Sequence, residues 1–196
     1  MAGIKKKSPL PEKSAVVSSF EPRVAADCRV LILGTVPSEK SLALQQAYGH
    51  AQNLFWPFMG ELFSAGPELD YLERIARLQR AGIGIWDVLK HCERPGSLDS
   101  SIVRGSEVPN AIPELLIAHP HIDALAFNGG KAFELFKRHI LPRFDAQQIA
   151  RVQLLPLPST SPANASIGRA EKLRRWSALK DLLDGARQLV ATPPSQ

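Results

Sequence analysis

Short aliphatic runs recur along the chain, and stretches with helical spacing lie between them. Residues 29–33 end at Gly34, residues 83–88 follow Gly82, residues 122–127 stop at Asn128-Gly129-Gly130, and residues 152–155 run into Pro156. Each run is β-branched or aliphatic and closed by turn residues, the pattern of a buried strand. Between them, Ser38 is placed to cap a helix running through Leu42 and Leu44 toward Tyr48. Further helices are predicted over 55–63, 67–80, 110–118 and 131–140. The spacing in 67–80 puts Leu69, Leu72, Ile75 and Ala76 on one face, and Gly82 supplies the stop. Residues 169–190, with Leu173, Trp176, Leu179, Leu182 and Leu183, read as one long amphipathic helix. Residues 90–108 mix polarity and carry Pro95, Gly96 and Gly105, so an ordered but irregular loop is expected. Strand and helix alternate about four times. The fold class is therefore α/β: a single three-layer domain in which a four-stranded parallel sheet is flanked by helices.

That domain is expected over residues 28–190. A flexible basic leader at 1–27, with Pro9, Pro11 and Pro22, precedes it, and a short tail at 191–196 follows. The 196 residues carry 24 Lys and Arg against 19 Asp and Glu, a formal charge of +5. Position matters more than the total, because residues 1–13 hold +3 and residues 168–180 hold +4, which leaves −2 for the rest. Two concentrated basic segments on a nearly neutral body suit attraction of a polyanion such as DNA or RNA, although a solvated tail and an exposed helix face fit as well. Cys28 and Cys92 are too few for a disulfide framework, and no apolar run approaches the ~18 residues of a membrane span. A cytoplasmic protein is expected.

Ligands of parallel sheets bind outside the carboxyl ends of the strands. This singles out the loops 34–38, 87–99, 128–131 and 156–166. The first resembles a phosphate-cradling loop, but Glu39 stands where that pattern needs glycine and Pro37 removes a donor. No dinucleotide fingerprint follows the first strand, and no Gly-x-Ser-x-Gly elbow is present. The five histidines are scattered without metal-site spacing, and His91 and Cys92, being adjacent, point to opposite faces of a strand. What remains on the loops is a set of amides, hydroxyls and aromatics.

Four segments carry a resemblance: 31–38 (LILGTVPS), 50–56 (HAQNLFW), 127–129 (FNG) and 157–164 (LPSTSPAN). In this order they resemble the uracil-DNA glycosylase superfamily. More narrowly, they are similar to its hypoxanthine-DNA (deoxyinosine) glycosylase branch, with mismatch-specific uracil and thymine glycosylases as near relatives. The resemblance runs over about residues 29–185. It implies a monofunctional DNA glycosylase that flips a deaminated base from DNA, hypoxanthine foremost, and hydrolyses its N-glycosidic bond to begin base excision repair. No metal or other cofactor is implied, no strand cleavage is expected, and a monomer is favoured. The alternatives kept are a mismatch-specific uracil-DNA glycosylase and a catalytically weak DNA-binding or damage-sensing module.

Many members place Asp or Asn in the first loop to orient water, where this chain has Val36. In the hypoxanthine branch the resemblance passes that catalytic role to Asn53, which equally suits a helix N-cap. Phe55 would stack on the base and Asn128 read its edge, while Gly34, Thr35 and Asp87 would line the base pocket. Ser159, Thr160, Ser161, Pro162 and Asn164 would grip the DNA backbone, with Arg169 and Arg175 beside them. A histidine that relatives carry at the head of this last motif is replaced by Leu157.

Overall fold

The computed structural model describes residues 15–191, with side chains described over 16–184. The leading residues 1–14 and the segment 192–196 lie outside the described residues. Seven strands and eight α-helices are described: β1 (Ala15–Ser18), β2 (Val30–Gly34), α1 (Glu39–Leu44), α2 (Phe55–Phe63), α3 (Tyr71–Arg80), β3 (Ile83–Asp87), β4 (Leu89–Arg94), β5 (Val108–Pro109), α4 (Ile112–Ala118), β6 (Ala124–Asn128), α5 (Gly130–His139), α6 (Ala146–Ala150), β7 (Gln153–Leu157), α7 (Arg169–Trp176) and α8 (Ala178–Ala191).

The central sheet is four-stranded and wholly parallel, in the order β3-β2-β6-β7. Alternation explains why its strands read as continuous apolar runs. Val30 and Ile32 join Ile83, Ile85, Ala124 and Ala126 in a core on one face, while Leu31 and Leu33 join Leu125 and Phe127 in a core on the other. Helices cover both faces, so all of β2 and Ala124 to Phe127 of β6 are buried and no polar alternation survives in these central strands. The chain leaves β2 toward β3 on one side and later returns to pair β6 on the other. That reversal opens a crevice at the carboxyl ends of β2 and β6.

Four expectations change. A second, antiparallel sheet in the order β1-β4-β5 occupies much of the region read as loop. Its first strand lies inside the expected leader: Ala15–Ser18 pairs with β4, and Arg23 bridges Ile85 on the edge of β3. The helix expected over 67–80 begins at Tyr71 and buries Ile75 and Leu78, whereas Leu72 is 73% exposed. The long final helix breaks at Ser177, whose hydroxyl donates back to Arg174 O at 2.7 Å, a competing bond that interrupts helices. No helix among the described residues is long and apolar enough to cross a membrane.

Candidate nucleic-acid base pocket

A cavity of about 480 Å³ opens at the carboxyl rim of the parallel sheet. All four loops singled out from the sequence reach it: Thr35 after β2, Asp87 at the end of β3, Asn128 at the end of β6, and Ser159 and Asn164 after β7. Asn53 and Tyr48 close it from the segment before α2, and Phe20 and Arg23 from the segment after β1.

Thr160 is the tie that brings these parts together. Its side chain is fully buried, its N–H donates to Asn128 Oδ1 at 2.9 Å, and its hydroxyl accepts from Asn128 Nδ2 at 2.8 Å. Its carbonyl accepts from Leu54 N–H at 3.0 Å, next to Asn53. One residue thus joins the loop after β7, the end of β6 and the start of α2. Gly129 makes the close approach possible: a Cβ there would lie 2.9 Å from Ser159 Cβ, and its φ of 106° favours glycine in any case. Asn128 and Thr160 are therefore structural partners, and Thr160 offers no hydroxyl to a DNA backbone. An edge-reading role for Asn128 is left only the second hydrogen and second lone pair of its amide.

Asn53 lines the cavity, and its Oδ1 accepts from Phe55 N–H at 2.9 Å. The capping role and the pocket position thus coexist in one residue. Phe55 itself is fully buried and does not form the wall; Tyr48 stacks over it, and Trp56 and Trp176 meet it edge-on. The direct base stacking expected of Phe55 is blocked here by Tyr48. Val36 packs into the core, 8% exposed, and Leu157 does the same.

The floor is built by close contact between β2 and β3. Gly34 pairs with Asp87, and a Cβ on Gly34 would sit 2.5 Å from Asp87 Oδ1, so only glycine admits this carboxyl. Desolvation by burial pushes the Asp87 carboxyl up to about 7, opposed by the Ser19 hydroxyl that donates to Oδ2 at 3.0 Å. A raised carboxylate pKa means that the native state holds its proton more tightly than the unfolded chain. The stability it contributes is complete below about pH 4 and is lost as pH rises through about 7. Asp87→Asn is accordingly expected to remove up to about 1.4 kcal/mol per pH unit of slope between those limits. Urea titrations of both proteins from pH 4 to 8 measure it, and parallel curves would contradict the burial.

Two buried cations were not legible as site residues. Arg94, 1% exposed, donates to Pro37 O at 2.6 Å and Gly96 O at 3.0 Å and pairs with Asp99 at 3.4 Å, stitching the first two rim loops together. Lys172, 2% exposed, donates to Asn164 O at 2.5 Å and holds the last loop onto α7. The other cations of α7 are exposed and paired: Arg169 with Glu61, and Arg174 and Arg175 with Glu171. Exposed pairs of this kind are worth at most about 1 kcal/mol, so a phosphate can replace the carboxylate at little cost. Ser161 and Asn164 sit on the cavity rim and Pro162 is exposed at the loop tip. No cluster of three or more His, Cys, Asp or Glu among the described residues is arranged to hold a metal.

With this geometry in place, comparison with known proteins is decisive. The family model for the uracil DNA glycosylase superfamily matches residues 21–183. The chain belongs to the uracil DNA glycosylase superfamily. Within this superfamily it is 34% identical over 116 residues to a hypoxanthine DNA glycosylase of Methanosarcina barkeri, which covers 59% of this chain and 72% of that protein. It is 38% identical over 106 residues to a hypoxanthine DNA glycosylase of Methanosarcina acetivorans, which covers 54% and 66%. The solution NMR structure of a provisionally named uracil DNA glycosylase from Methanosarcina acetivorans superposes with a TM-score of 0.71 at 29% identity, over 87% of this chain and 99% of the other. Superfamily membership brings the coarse activity, hydrolysis of the N-glycosyl bond of a base in DNA.

Proposed function

We propose that this protein removes deaminated bases from DNA, hypoxanthine foremost, and leaves an abasic site. The observation that supports this most is the convergence of Asn53, Asp87, Asn128 and the Gly34-Thr35 turn on one cavity, with Thr160 tying Asn128 to the segment that carries Asn53. Its volume falls in the range of small-molecule pockets and admits a purine turned out of the duplex. The two relatives named as hypoxanthine DNA glycosylases favour that base.

Each role follows from the chemistry of the group. Asn53 Oδ1 is fixed by Phe55 N–H, and an amide oxygen keeps a second lone pair that accepts from a water molecule. An amide is too weak a base to deprotonate that water beforehand. It holds the water where the sugar carbon becomes positive as the C–N bond lengthens, so the contribution is position and electrostatics. Asp87, on the floor, meets the edge of the base, and its ionised form accepts a ring N–H. Ser159, Ser161 and Asn164 on the rim contact the flanking backbone, with Arg169 and Arg175 on α7 beside them.

The test is a panel of duplex and single-stranded oligonucleotides carrying hypoxanthine, uracil, xanthine or thymine, followed by alkali to cut abasic sites. Product is expected fastest from hypoxanthine. Product mainly from mismatched uracil would move the assignment to that substrate, and binding without product would make the protein a damage-binding module.

A further inference from the structure

Ser19 belongs to none of the segments that carry the family resemblance and precedes the residues that the family model matches, yet it touches the floor of the pocket from behind. It follows β1 in a strap laid along the edge of the parallel sheet. Ser19 N–H donates to Lys90 O at 2.8 Å, Trp86 Nε1–H donates to Phe20 O at 3.0 Å, and Arg23 exchanges backbone bonds of 3.0 and 3.1 Å with Ile85. Ser19 itself does not line the cavity. What it reaches is the carboxyl of Asp87, which does.

Two acceptors stand within reach of the Ser19 hydroxyl: Phe20 O at 2.9 Å and Asp87 Oδ2 at 3.0 Å. A hydroxyl owns one hydrogen and two lone pairs. When Asp87 is ionised, the Ser19 hydrogen goes to Oδ2, and Phe20 O keeps its bond from Trp86. When Asp87 is protonated, Oδ2–H donates to Ser19 Oγ and Ser19 donates onward to Phe20 O, so both short contacts are hydrogen bonds. A proton on Asp87 is therefore held on Oδ2, away from the cavity.

The other oxygen is the one a ligand meets. Oδ1 stands over Gly34 on the cavity floor, 2.5 Å from where a Cβ there would sit. Among the described residues, Ser19 is the one side chain that hydrogen-bonds this carboxyl. Asp99, on the loop after β4, opposes its ionisation and Arg94 favours it, but these two are paired with each other at 3.4 Å. Tyr48, from the segment before α2, brings a neutral hydroxyl near Gly34, and Asn110 Nδ2–H donates to the backbone oxygen of Asp87. With the carboxyl pushed up to about 7, both of its forms are present at neutral pH.

We infer that Ser19 is a positioning residue that sets base specificity: by holding any Asp87 proton on Oδ2, it keeps Oδ1 a hydrogen-bond acceptor in both protonation states. The inference rests on the glycosylase function proposed above. Deamination places a ring N–H beside a carbonyl, where adenine and cytosine have a bare ring nitrogen beside an amino group. An accepting Oδ1 matches the ring N–H and repels the lone pair of the bare nitrogen. Without the Ser19 hydroxyl, a protonated Asp87 is free to carry its hydrogen on Oδ1 and to bond the bare nitrogen as a donor. The pocket then stops telling hypoxanthine from adenine wherever the carboxyl is protonated.

The test is binding, separated from chemistry by a 2′-fluoro-2′-deoxyinosine duplex whose glycosidic bond resists hydrolysis. Affinity is measured by fluorescence anisotropy against a 2′-fluoro-2′-deoxyadenosine duplex at pH 6 and pH 8. Wild type is expected to prefer the inosine analogue at both pH values. Ser19→Ala is expected to lose about 5- to 150-fold of that preference at pH 6, the worth of one mispaired polar group, and to recover it in part at pH 8 as the carboxyl ionises. Ser19→Thr, which keeps the hydroxyl, should follow wild type. Thermal melts confirm that both variants are folded. Wild-type preference in Ser19→Ala at pH 6, a loss equal at both pH values, or a wild type that loses its preference on going to pH 6 would overturn the inference alone. A wild type with no preference at either pH would overturn the functional reading beneath it.

Discussion

Replacing Asn53 by serine is expected to lower the single-turnover rate of hypoxanthine release about 100- to 1000-fold while leaving thermal stability within about 0.5 kcal/mol of wild type. Serine is a good helix-capping residue and can still accept from Phe55 N–H two positions on, so the start of α2 survives. What serine lacks is the amide that reaches into the cavity. Asn53→Ala should lose the same activity and, in addition, about 1 kcal/mol of stability with the cap. If Asn53 served only to cap the helix, serine would be nearly silent in both assays. Rapid-quench kinetics with enzyme in excess, run beside calorimetric melts, separates the two roles.

The second large effect is expected at Asn128. Asn128→Ala removes both bonds to Thr160 and leaves a buried backbone N–H without its acceptor, which costs about 1–3 kcal/mol. For a domain of this size the melting temperature then falls by several degrees. Activity should fall with it, because Thr160, which Asn128 holds, accepts from Leu54 N–H at the start of α2. Thr160→Val removes only the hydroxyl and should cost less. The double variant should be no worse than Asn128→Ala, since the two side chains share one interaction. An Asn128 that only read the base would give the opposite pattern: lost activity at an unchanged melting temperature.

The parallel sheet was legible because its strands are buried on both faces, which makes a run such as Val30 to Leu33 unmistakable. The small antiparallel sheet was not. Leu89–Arg94 interleaves charge with Leu89 and Cys92, its register slips between Leu89 and His91, and its partner β1 lies far away in sequence among prolines. The rim loops followed from the rule for parallel sheets, and with them Asp87, Asn128 and the hydroxyl loop; Asn53 followed from the family resemblance alone. Their division of labour did not follow. Asn128 and Thr160 satisfy each other, a relation set by tertiary approach at Gly129 that no spacing encodes. Arg94 and Lys172 read as surface charge because composition cannot reveal which carbonyls wait for a buried cation. Tyr48 left no periodic signal at all, as it follows the end of α1 in a left-handed turn.

The basic helix carries a milder lesson. Four of its cations looked free to meet DNA, but one is buried and three are already paired with Glu61 or Glu171. Concentrated charge in a sequence marks a candidate surface; the local carboxylates decide how much of it a polyanion meets.

The central claim is that neutral amide and hydroxyl groups around this cavity direct water to the sugar carbon and release the base whole. Mass spectrometry of a single-turnover reaction on a deoxyinosine duplex tests it most directly. The expected products are free hypoxanthine and an equal amount of unbroken abasic strand that alkali then cuts. Absence of free base, or a strand already broken before alkali is added, would contradict it.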